Sequence, residues 1–308
     1  MVDLHAVVQM CEAGAVGESS KPRRVEAALE QIAIELGAGI VRATRVHGGD
    51  VAISFRLDLD DGRRVFAKTH ASAPANHFTT EAAGLVWIGE APGIGVPKVL
   101  AVSDVPPFLV LEWIEESSAM ADTEVSLGRG LASLHRAGTP SFGREDRRST
   151  GSRGLPNEPC ETWAEFYATQ RLLPLARLAK DGQVLRDRAI RDLEDVASRL
   201  LELGGEPEPP ARLHGDLWAG NRLVGTDGRN WLIDPAAHGS HREFDLAMMR
   251  LFGGFGTQCF AAYEEEFPLG EGWQDRVALH QLAPLVVHAI KFGSRYPAAV
   301  ARALAGYV

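Results

Sequence analysis

The nine residues VAISFRLDL at 51–59 place large apolar side chains at every second position, and this pattern restricts the choice of fold more than any other segment. A period of two is typical of a β-strand that buries one face. The pair Asp61-Gly62 follows and favours a tight hairpin turn, after which residues 65–69 can return beside the first strand. The sequence therefore predicts an antiparallel sheet in its first third.

Further elements are predicted on either side of this hairpin. Strands are expected at 40–46, 98–102 and 108–113, with helices at 23–36 and 77–89. After residue 114 the apolar spacing becomes helical, with Asp122 as a candidate N-cap, helices at 162–180 and 183–203, and more helix from Asp245 onward. Between these helices, a short β segment is expected at 212–235, and residues 138–158 show no periodicity.

Strands dominate the first part of the chain and helices dominate the second, so the predicted fold class is α+β with two lobes. Residues 1–114 would form an N-terminal lobe, an antiparallel sheet with a helix. Residues 115–308 would form a C-terminal lobe that is mainly helical. At 308 residues the chain is long enough for both lobes to bury a core.

Composition excludes several functions. The chain has 32 basic and 41 acidic residues, and a net charge of −9 argues against a nucleic-acid scaffold or a polybasic membrane binder. No apolar run approaches the length of a membrane span, and the first residues lack the pattern of a signal peptide. The three cysteines are far apart, which favours a reducing compartment. We therefore expect a cytoplasmic protein that binds neither nucleic acid nor membrane. The sequence leaves the oligomeric state open and slightly favours a monomer.

The segment LHGDLWAGNRLVGTDGRNWLIDPA at 213–236 carries the chemistry. It contains two short strands joined by a turn at Thr226-Asp227-Gly228, which is the pattern of a β-hairpin. Antiparallel pairing brings the start of the first strand beside the end of the second. Asn221 and Asp234 are therefore expected to be neighbours at the open end of the hairpin, and their oxygens are ligands that suit Mg²⁺.

Asp216 lies five residues before Asn221, on the loop that leads into the hairpin. A carboxylate at this place can orient a substrate hydroxyl and accept its proton. The spacing H-x-D-x4-N, with a further Asp 13 residues later, matches the catalytic loop and the metal ligand of kinases. Phosphoryl transfer from ATP is therefore the predicted chemistry, with Asp216 as base and with Asn221 and Asp234 as metal ligands.

Residues of the first lobe fit the same reaction. Lys68 lies on the third strand and Glu81 on the next helix, and a strand Lys paired with a helical Glu can hold the phosphates of ATP. Gly48 and Gly49 fall at the first strand turn, where phosphates would be covered, although a plain β-turn is the alternative. The backbone at three further residues could hydrogen-bond the adenine ring, although an ordinary core strand also explains them: Glu112, Trp113 and Ile114.

At this point the sequence resembles the fructosamine kinase (ketosamine 3-kinase) family, within the group of aminoglycoside phosphotransferases and choline kinases. HGDLWAGN and LIDPA indicate the group. Trp218, HREFDLAMMRLFGGF at 241–255, AAYEEEFPL at 261–269 and FGSRY at 292–296 indicate the narrower family. The resemblance covers roughly residues 25–308.

The resemblance implies a two-lobed protein-kinase-like fold and a phosphotransferase with an alcohol acceptor. The expected reaction is ATP-dependent phosphorylation, with Mg²⁺, of the 3-hydroxyl of ribulosamines, erythrulosamines or fructosamines on amines or proteins. The product is unstable and releases the amine, so relatives resemble deglycation and protein-repair enzymes. Carried over by position, Asp216 matches the base and Lys68 the phosphate-binding lysine. Trp218, Arg242 and Glu243 are family-specific and are expected to shape the sugar pocket, or else to pack the C-terminal lobe.

The sequence also departs from the family. Some relatives have a cysteine in the glycine-rich turn that is linked to redox-sensitive dimerisation, and this chain has none there, so that regulation is not expected. His238 and Ser240 replace residues usual in relatives, which puts the substrate pocket in doubt. The alternatives are a kinase of the same fold for an aminoglycoside, choline or homoserine, or a nucleotide-binding pseudokinase.

Overall fold

The computed structural model describes residues 21–46, 52–70, 73–118, 121–147, 149–150 and 154–308. Gly48 and Gly49, which were predicted to cover phosphates, lie outside the described residues. The chain divides into two compact units. Unit 1 comprises Met1–Val86 and Val96–Glu116, and unit 2 comprises Trp87–Gly95 and Ser117–Val308.

Unit 1 is built on a five-stranded antiparallel sheet. The strands are β1 (Ile40–Val46), β2 (Ile53–Leu59), β3 (Arg64–Thr69), β4 (Val99–Asp104) and β5 (Pro107–Glu112). Their order in the sheet is β1-β2-β3-β5-β4. Helix α1 (Lys21–Leu36) precedes the sheet, and helix α2 (His77–Gly89) connects β3 to the segment before β4.

Alternation along the strands explains how both faces of this sheet are buried. On one face, Phe55 and Leu57 of β2 pack with Leu29 and Ile32 of α1. The opposite face packs against α2, through side chains of β5 and α2 that include Leu109, Leu111, Phe78, Ala82 and Leu85. Lys68 is two residues from Phe66, which also packs on the α2 face, so the lysine projects toward the same helix.

Unit 2 is mainly helical. Its helices are α3 (Ala121–Arg136), α4 (Trp163–Phe166), α5 (Leu173–Asp181), α6 (Asp187–Ser198), α7 (Leu200–Leu203), α8 (Glu243–Phe252), α9 (Thr257–Glu266), α10 (Trp273–Phe292) and α11 (Tyr296–Leu304). Three two-stranded ladders accompany them: β6 (Ser149–Thr150) with β7 (Leu155–Pro156), β8 (Ala211–Leu213) with β11 (His238–Ser240), and β9 (Arg222–Val224) with β10 (Asn230–Leu232). The core of this unit includes Phe166, Tyr167, Leu193 and Leu282.

The predicted order of strands and helices is confirmed, and three details were wrong. Asp122 was expected to cap a helix, but α3 begins at Ala121 and Asp122 lies within its first turn. The single helix expected at 162–180 contains a π-helical segment, Tyr167–Leu172, between α4 and α5. The helix expected at 183–203 ends at Ser198 and resumes at Leu200, where the C-cap residue Arg199 leaves the helical region.

A short segment at the end of α2 belongs to unit 2. The backbone N–H of Gly95 donates to Asn230 O at 2.9 Å, and Leu232 N–H donates to Gly95 O at 2.8 Å, so this segment extends the β9–β10 hairpin. Arg212 donates to Trp87 O. The sequence predicted one boundary, after Ile114, and did not predict that Trp87–Gly95 belongs to unit 2.

No described helix combines the length and the apolar character needed to cross a membrane.

Candidate active site

The loop between β8 and β9 carries Asp216, and His214 fixes its shape. His214 is fully buried, and its Nε2–H donates to Ile233 O at 2.9 Å. Its Nδ1 accepts from the backbone N–H of Asp216 at 3.3 Å. Burial lowers the pKa of His214, which keeps the ring neutral and able to make both bonds. The histidine of the H-x-D motif therefore ties the loop to the end of the hairpin.

Gly215 is required in this loop for two reasons. Its φ of +80° lies in the left-handed region that L side chains rarely adopt. A Cβ added at this position would also overlap Ala236 O and crowd His238. The close approach of two backbone segments thus explains the glycine between His214 and Asp216.

Asp245 braces the loop from helix α8. It is fully buried, and its two carboxylate oxygens accept from the backbone N–H groups of His214 at 2.8 Å and Gly215 at 2.9 Å. Asp245 therefore holds the loop through two backbone groups. Net attraction to these donors and to His135 lowers the pKa of Asp245, although its burial acts in the opposite direction.

A chain of buried hydrogen bonds continues behind Asp245. His135 of α3 lies 3.3 Å from Asp245 Oδ2 through Nε2 and 2.8 Å from the Tyr263 hydroxyl through Nδ1. Burial raises the pKa of Tyr263, so this hydroxyl keeps its proton and can donate to Nδ1. His135 Nε2–H then donates to the carboxylate. Three helices, α3, α8 and α9, thereby hold the loop that carries Asp216.

Asp216 itself is partly buried among like charges. Burial raises the pKa of its carboxyl to about 7, and the carboxylates of Asp234 and Asp245 act in the same direction. The Lys291 ammonium opposes this increase, as does a hydrogen bond from Asn221. A carboxyl whose pKa is shifted toward neutrality, in a group of charged side chains, is suited to proton transfer.

Asn221 and Asp234 meet at the open end of the hairpin, as the pairing pattern predicted. The backbone N–H of Ile233 donates to Asn221 O at 3.0 Å, and Asp234 is the next residue. Asn221 Nδ2 donates to Asp216 O at 2.8 Å, which leaves the amide oxygen as an acceptor. Asp234 has a φ of +54°, a strained conformation for a residue other than glycine, and such strain is concentrated at functional sites.

The hairpin is also held from its sides. Arg222 forms a buried ion pair with Glu124 of α3 and donates to Asn230 Oδ1 at 2.8 Å. Asn230 in turn donates to Thr123 O at 2.9 Å. These contacts fix β9 and β10 on α3, so Asn221 and Asp234 are positioned by elements with little freedom. The second strand begins at Asn230, which pairs with Val224.

In unit 1, Lys68 and Glu81 form the pair that the sequence predicted. Lys68 Nζ lies 2.6 Å from Glu81 Oε1, and the side chains are 6% and 11% exposed. The carboxylate of Glu81 thereby compensates the charge of Lys68. A buried ion pair of this kind costs desolvation energy, so its presence suggests a role other than stability alone.

Three residues at the end of β5 were predicted to contact adenine. Glu112 is the last residue of the strand, and Trp113 and Ile114 follow it. Glu112 accepts the backbone N–H of Lys98 at 2.9 Å, and its carboxylate is thereby engaged. Trp113 Nε1–H donates to Glu115 at 3.0 Å, and the Arg56 guanidinium lies 5.9 Å from the Trp113 ring centroid. Ile114 is buried. The side chains of Glu112 and Trp113 are thus held by other residues, and the backbone of this segment remains the predicted contact for a nucleotide base.

The family-specific residues separate into two kinds. Trp218, on the loop that carries Asp216, is 42% exposed, and its indole lies against Gly220. Arg242 and Glu243 are buried instead. Arg242 makes a bidentate pair with Glu208 at 2.6 and 2.7 Å.

Glu243 makes a second bidentate pair, with Arg276 at 2.6 and 3.0 Å. For Arg242 and Glu243 these contacts correspond to the packing alternative that the sequence left open. The partners lie about 34 residues away in sequence, so sequence spacing gave no indication of them.

The sequence did not identify Lys291 or the pair His135–Tyr263. Lys291 is in the last turn of a helix, where a basic residue is common, and the members of the pair are 128 residues apart. No local motif connects such positions to Asp216.

Comparison with known proteins agrees with the site. The model of the fructosamine kinase family matches residues 25–308. The chain is 32% identical to a probable ketoamine kinase of Lactiplantibacillus plantarum, over 85% of this chain and 92% of that protein. It is 32% identical to the ketosamine-3-kinase of Mus musculus, over 85% and 94% of the two chains.

Solved structures show the same relationship. A candidate fructosamine-3-kinase from Thermobifida fusca superposes with a TM-score of 0.84 at 38% identity, over 91% of this chain and 98% of that one. The α+β fold is that of the protein-kinase-like phosphotransferases, since a choline kinase from Streptococcus pneumoniae also shares it at 14% identity and a TM-score of 0.63. The family match spans nearly the whole length and includes both the Asp216 loop and the Lys68–Glu81 pair, and the chain therefore belongs to the fructosamine kinase family.

Proposed function

We propose that the protein is a Mg²⁺- and ATP-dependent ketosamine 3-kinase. The observation that carries the proposal is the braced loop in unit 2, where Asp216 is held by Asn221 beside Asp234. The Lys68–Glu81 pair of unit 1 supports it with the phosphate-binding side chains of a kinase. Relatives named as ketoamine and ketosamine kinases supply the acceptor class.

In the proposed reaction, the C3 hydroxyl of the ketosamine attacks the γ-phosphorus of ATP. Its proton passes to a carboxylate oxygen of Asp216, the bond from the γ-phosphorus to the bridging oxygen breaks, and ADP leaves. Asp216 thus orients the hydroxyl and accepts the proton. The 3-phosphorylated adduct then loses its amine, and the overall result would be deglycation and, for protein-bound sugars, repair.

The side chains present fit a magnesium ion. Asn221 offers an amide oxygen because its Nδ2 is already engaged, and Asp234 offers a carboxylate on a rigid hairpin. These are hard oxygen donors of the kind that Mg²⁺ prefers. When bound, the ion would offset negative charge on the phosphates of ATP. Metal binding at these residues is part of the proposal.

Nucleotide binding is assigned to unit 1. Lys68 would contact the phosphates of ATP, and Glu81 would hold it in place. The backbone of Glu112, Trp113 and Ile114 would receive the adenine edge. The phosphate-covering role of Gly48 and Gly49 also remains a proposal from the sequence.

Trp218 is proposed to bind the sugar. Aromatic rings pack against the apolar faces of sugars, and the indole of Trp218 is exposed two residues from the proposed base. Arg242 and Glu243 are not included among the sugar-binding residues, since buried ion pairs account for both. The cytoplasm is the proposed location because ATP is available there and because Cys160 and Cys259 are free thiols.

The test is ATP turnover with ribulose-lysine, erythrulose-lysine and fructose-lysine, with Asp216→Asn as the deficient variant. Loss of the base should lower the rate by about 10²–10⁴-fold. An aminoglycoside, choline and homoserine complete the panel. Turnover of one of these without any ketosamine turnover would favour the alternative kinases. ATP binding without phosphotransfer to any acceptor would favour a pseudokinase.

A further inference from the structure

The segment that follows Asp234 packs against the loop that carries Asp216. A Cβ added at Gly215, the residue before Asp216, would overlap Ala236 O and would lie 2.8 Å from His238 Nδ1. Ala236 is two residues after Asp234. The position of the Ala236 carbonyl therefore affects both the loop with the proposed base and the segment with a proposed metal ligand.

His238 of β11 holds this carbonyl. Its Nδ1 lies 2.7 Å from Ala236 O, and because a carbonyl oxygen can only accept, Nδ1 carries the hydrogen and donates it. The ring is 2% exposed, stacks on Phe166 with centroids 5.6 Å apart and makes a T-shaped contact with Phe244 at 5.7 Å. The backbone of His238 is paired with Leu213 of β8. The donor is therefore held in one place.

Stability alone does not explain a histidine in these surroundings. The second ring nitrogen, Nε2, is buried and makes no hydrogen bond within the described residues. A buried polar nitrogen without a partner destabilises the folded state, and an apolar side chain would avoid that cost. What an apolar side chain would lose is the bond from Nδ1–H to Ala236 O.

The bond matters because Asp234 has a strained backbone. Its φ is +54°, and a residue other than glycine keeps such a conformation only where the surrounding contacts impose it. The preceding residue, Ile233, donates its N–H to Asn221 O at 3.0 Å and accepts at its own carbonyl from His214 Nε2–H at 2.9 Å. Asp234 is therefore fixed on its N-terminal side.

On the C-terminal side of Asp234, the corresponding contact is made by His238. Pro235 has no N–H that could anchor the segment. The next residue, Ala236, is held through its carbonyl by the Nδ1–H of His238. Loss of this bond would let the segment relax, and Asp234 would then move toward an ordinary φ.

We propose that His238 is a positioning residue for the proposed metal ligand Asp234. Through the Ala236 carbonyl, its Nδ1–H keeps Asp234 in the strained conformation and holds the segment against Gly215. This inference rests on the proposed function and adds a residue that touches neither substrate nor metal. Loss of the donor should weaken metal binding and slow turnover, since a partner that orients a metal ligand typically contributes about 10–100-fold in metal affinity or activity.

The experiment compares side chains that place a donor at different distances from the backbone. In His238→Asn the amide nitrogen is attached to Cγ and takes the place of Nδ1. In His238→Gln it takes the place of Nε2, and His238→Leu has no donor. Binding of Mn²⁺, which accepts the same oxygen ligands as Mg²⁺, is measured by EPR on the full-length protein with ADP. The kcat and the Mg²⁺ concentration for half-maximal turnover are measured with ATP and ribulose-lysine.

His238→Gln and His238→Leu should bind Mn²⁺ about 10-fold more weakly than the wild type and have a kcat about 10-fold lower, whereas His238→Asn should stay within about 3-fold of the wild type. Unfolding temperatures should follow a different order, because leucine fills the apolar surroundings better than asparagine. Ser240→Ala is the matched control. Ser240 is on the same strand and face, is fully buried and makes no hydrogen bond through Oγ within the described residues, so its loss should change neither binding nor turnover.

Three results would overturn the inference. One is wild-type Mn²⁺ binding and turnover in His238→Leu. Another is an activity that follows the unfolding temperature, with His238→Asn as deficient as His238→Gln, which would reduce His238 to a packing role. The third is a wild-type protein that binds no Mn²⁺ with ADP. If the wild type binds Mn²⁺ but phosphorylates no ketosamine, the proposed function fails instead, and Mn²⁺ binding by the variants still decides the role of His238.

Discussion

Asp245→Asn is the substitution that most directly tests how the catalytic loop is held. The change is isosteric and removes one negative charge from a fully buried position. Asparagine retains one oxygen, so it can accept from either His214 or Gly215. Its NH₂ group then faces the other backbone N–H, and two donors are brought together where a carboxylate accepted both.

The magnitude follows from these contacts. A hydrogen bond to a charged group contributes about 1.5–3 kcal/mol, and a buried donor without an acceptor adds to the loss. The free energy of unfolding should therefore fall by about 2–4 kcal/mol. The loop should also shift, and because misplacement of a reacting group by about 1 Å can cost on the order of 10²-fold, kcat should fall by about 10–100-fold.

The assay combines urea unfolding at equilibrium with kcat and KM for a ketosamine. Asp275→Asn serves as the control, because Asp275 is an exposed acid in the first turn of α10 and its loss should change stability by less than about 0.5 kcal/mol. Unchanged kcat and stability in Asp245→Asn would refute the view that this carboxylate positions the loop.

Three further outcomes are expected. Glu81→Gln should leave the Lys68 ammonium uncompensated and raise the KM for ATP by about 10-fold, whereas an unchanged KM would separate the pair from nucleotide binding. Gly215→Ala should lower the free energy of unfolding by more than about 2 kcal/mol in a denaturant titration, because it combines a positive φ with a steric overlap, and wild-type stability would contradict this. Burial lowers the pKa of His241 to about 4 and of His238 to about 3. The unfolded chain therefore takes up protons below about pH 6.5 that the folded protein does not, and stability should fall between pH 7 and pH 5 by up to about 1.4 kcal/mol per pH unit for each histidine; urea midpoints that are equal at both pH values would exclude this.

Local chemistry explains what the sequence predicted well. The alternating run gave β2, and the turn at 226–228 gave the β9–β10 hairpin, because turn residues and period-two patterns act over a few residues. The Lys68–Glu81 pairing was also predicted, since a strand and the helix that follows it are close in sequence.

Tertiary contacts explain what the sequence could not predict. The helix expected at 162–180 contains a π-helical segment, and its Tyr167 hydroxyl donates to Leu279 O in the core, 112 residues away. For Arg242 the sequence left open a place in the sugar pocket or packing of the C-terminal lobe, and the structure shows a buried pair with Glu208. In both cases the partner is distant in sequence, and no local pattern encodes it.

Trp87–Gly95 belongs to unit 2 although the residues before and after it belong to unit 1, and this affects any attempt to produce the two units as separate fragments. A fragment that ends near residue 116 would retain this segment but lose its hydrogen-bond partners, Asn230 and Leu232 for Gly95 and Arg212 for Trp87. The complementary fragment from residue 117 would expose the edge of the β9–β10 hairpin, next to the proposed metal ligands, and an unpaired edge invites aggregation. The sheet unit and the helical unit are therefore expected to be expressed, inherited and recombined as one gene segment rather than as two exchangeable modules.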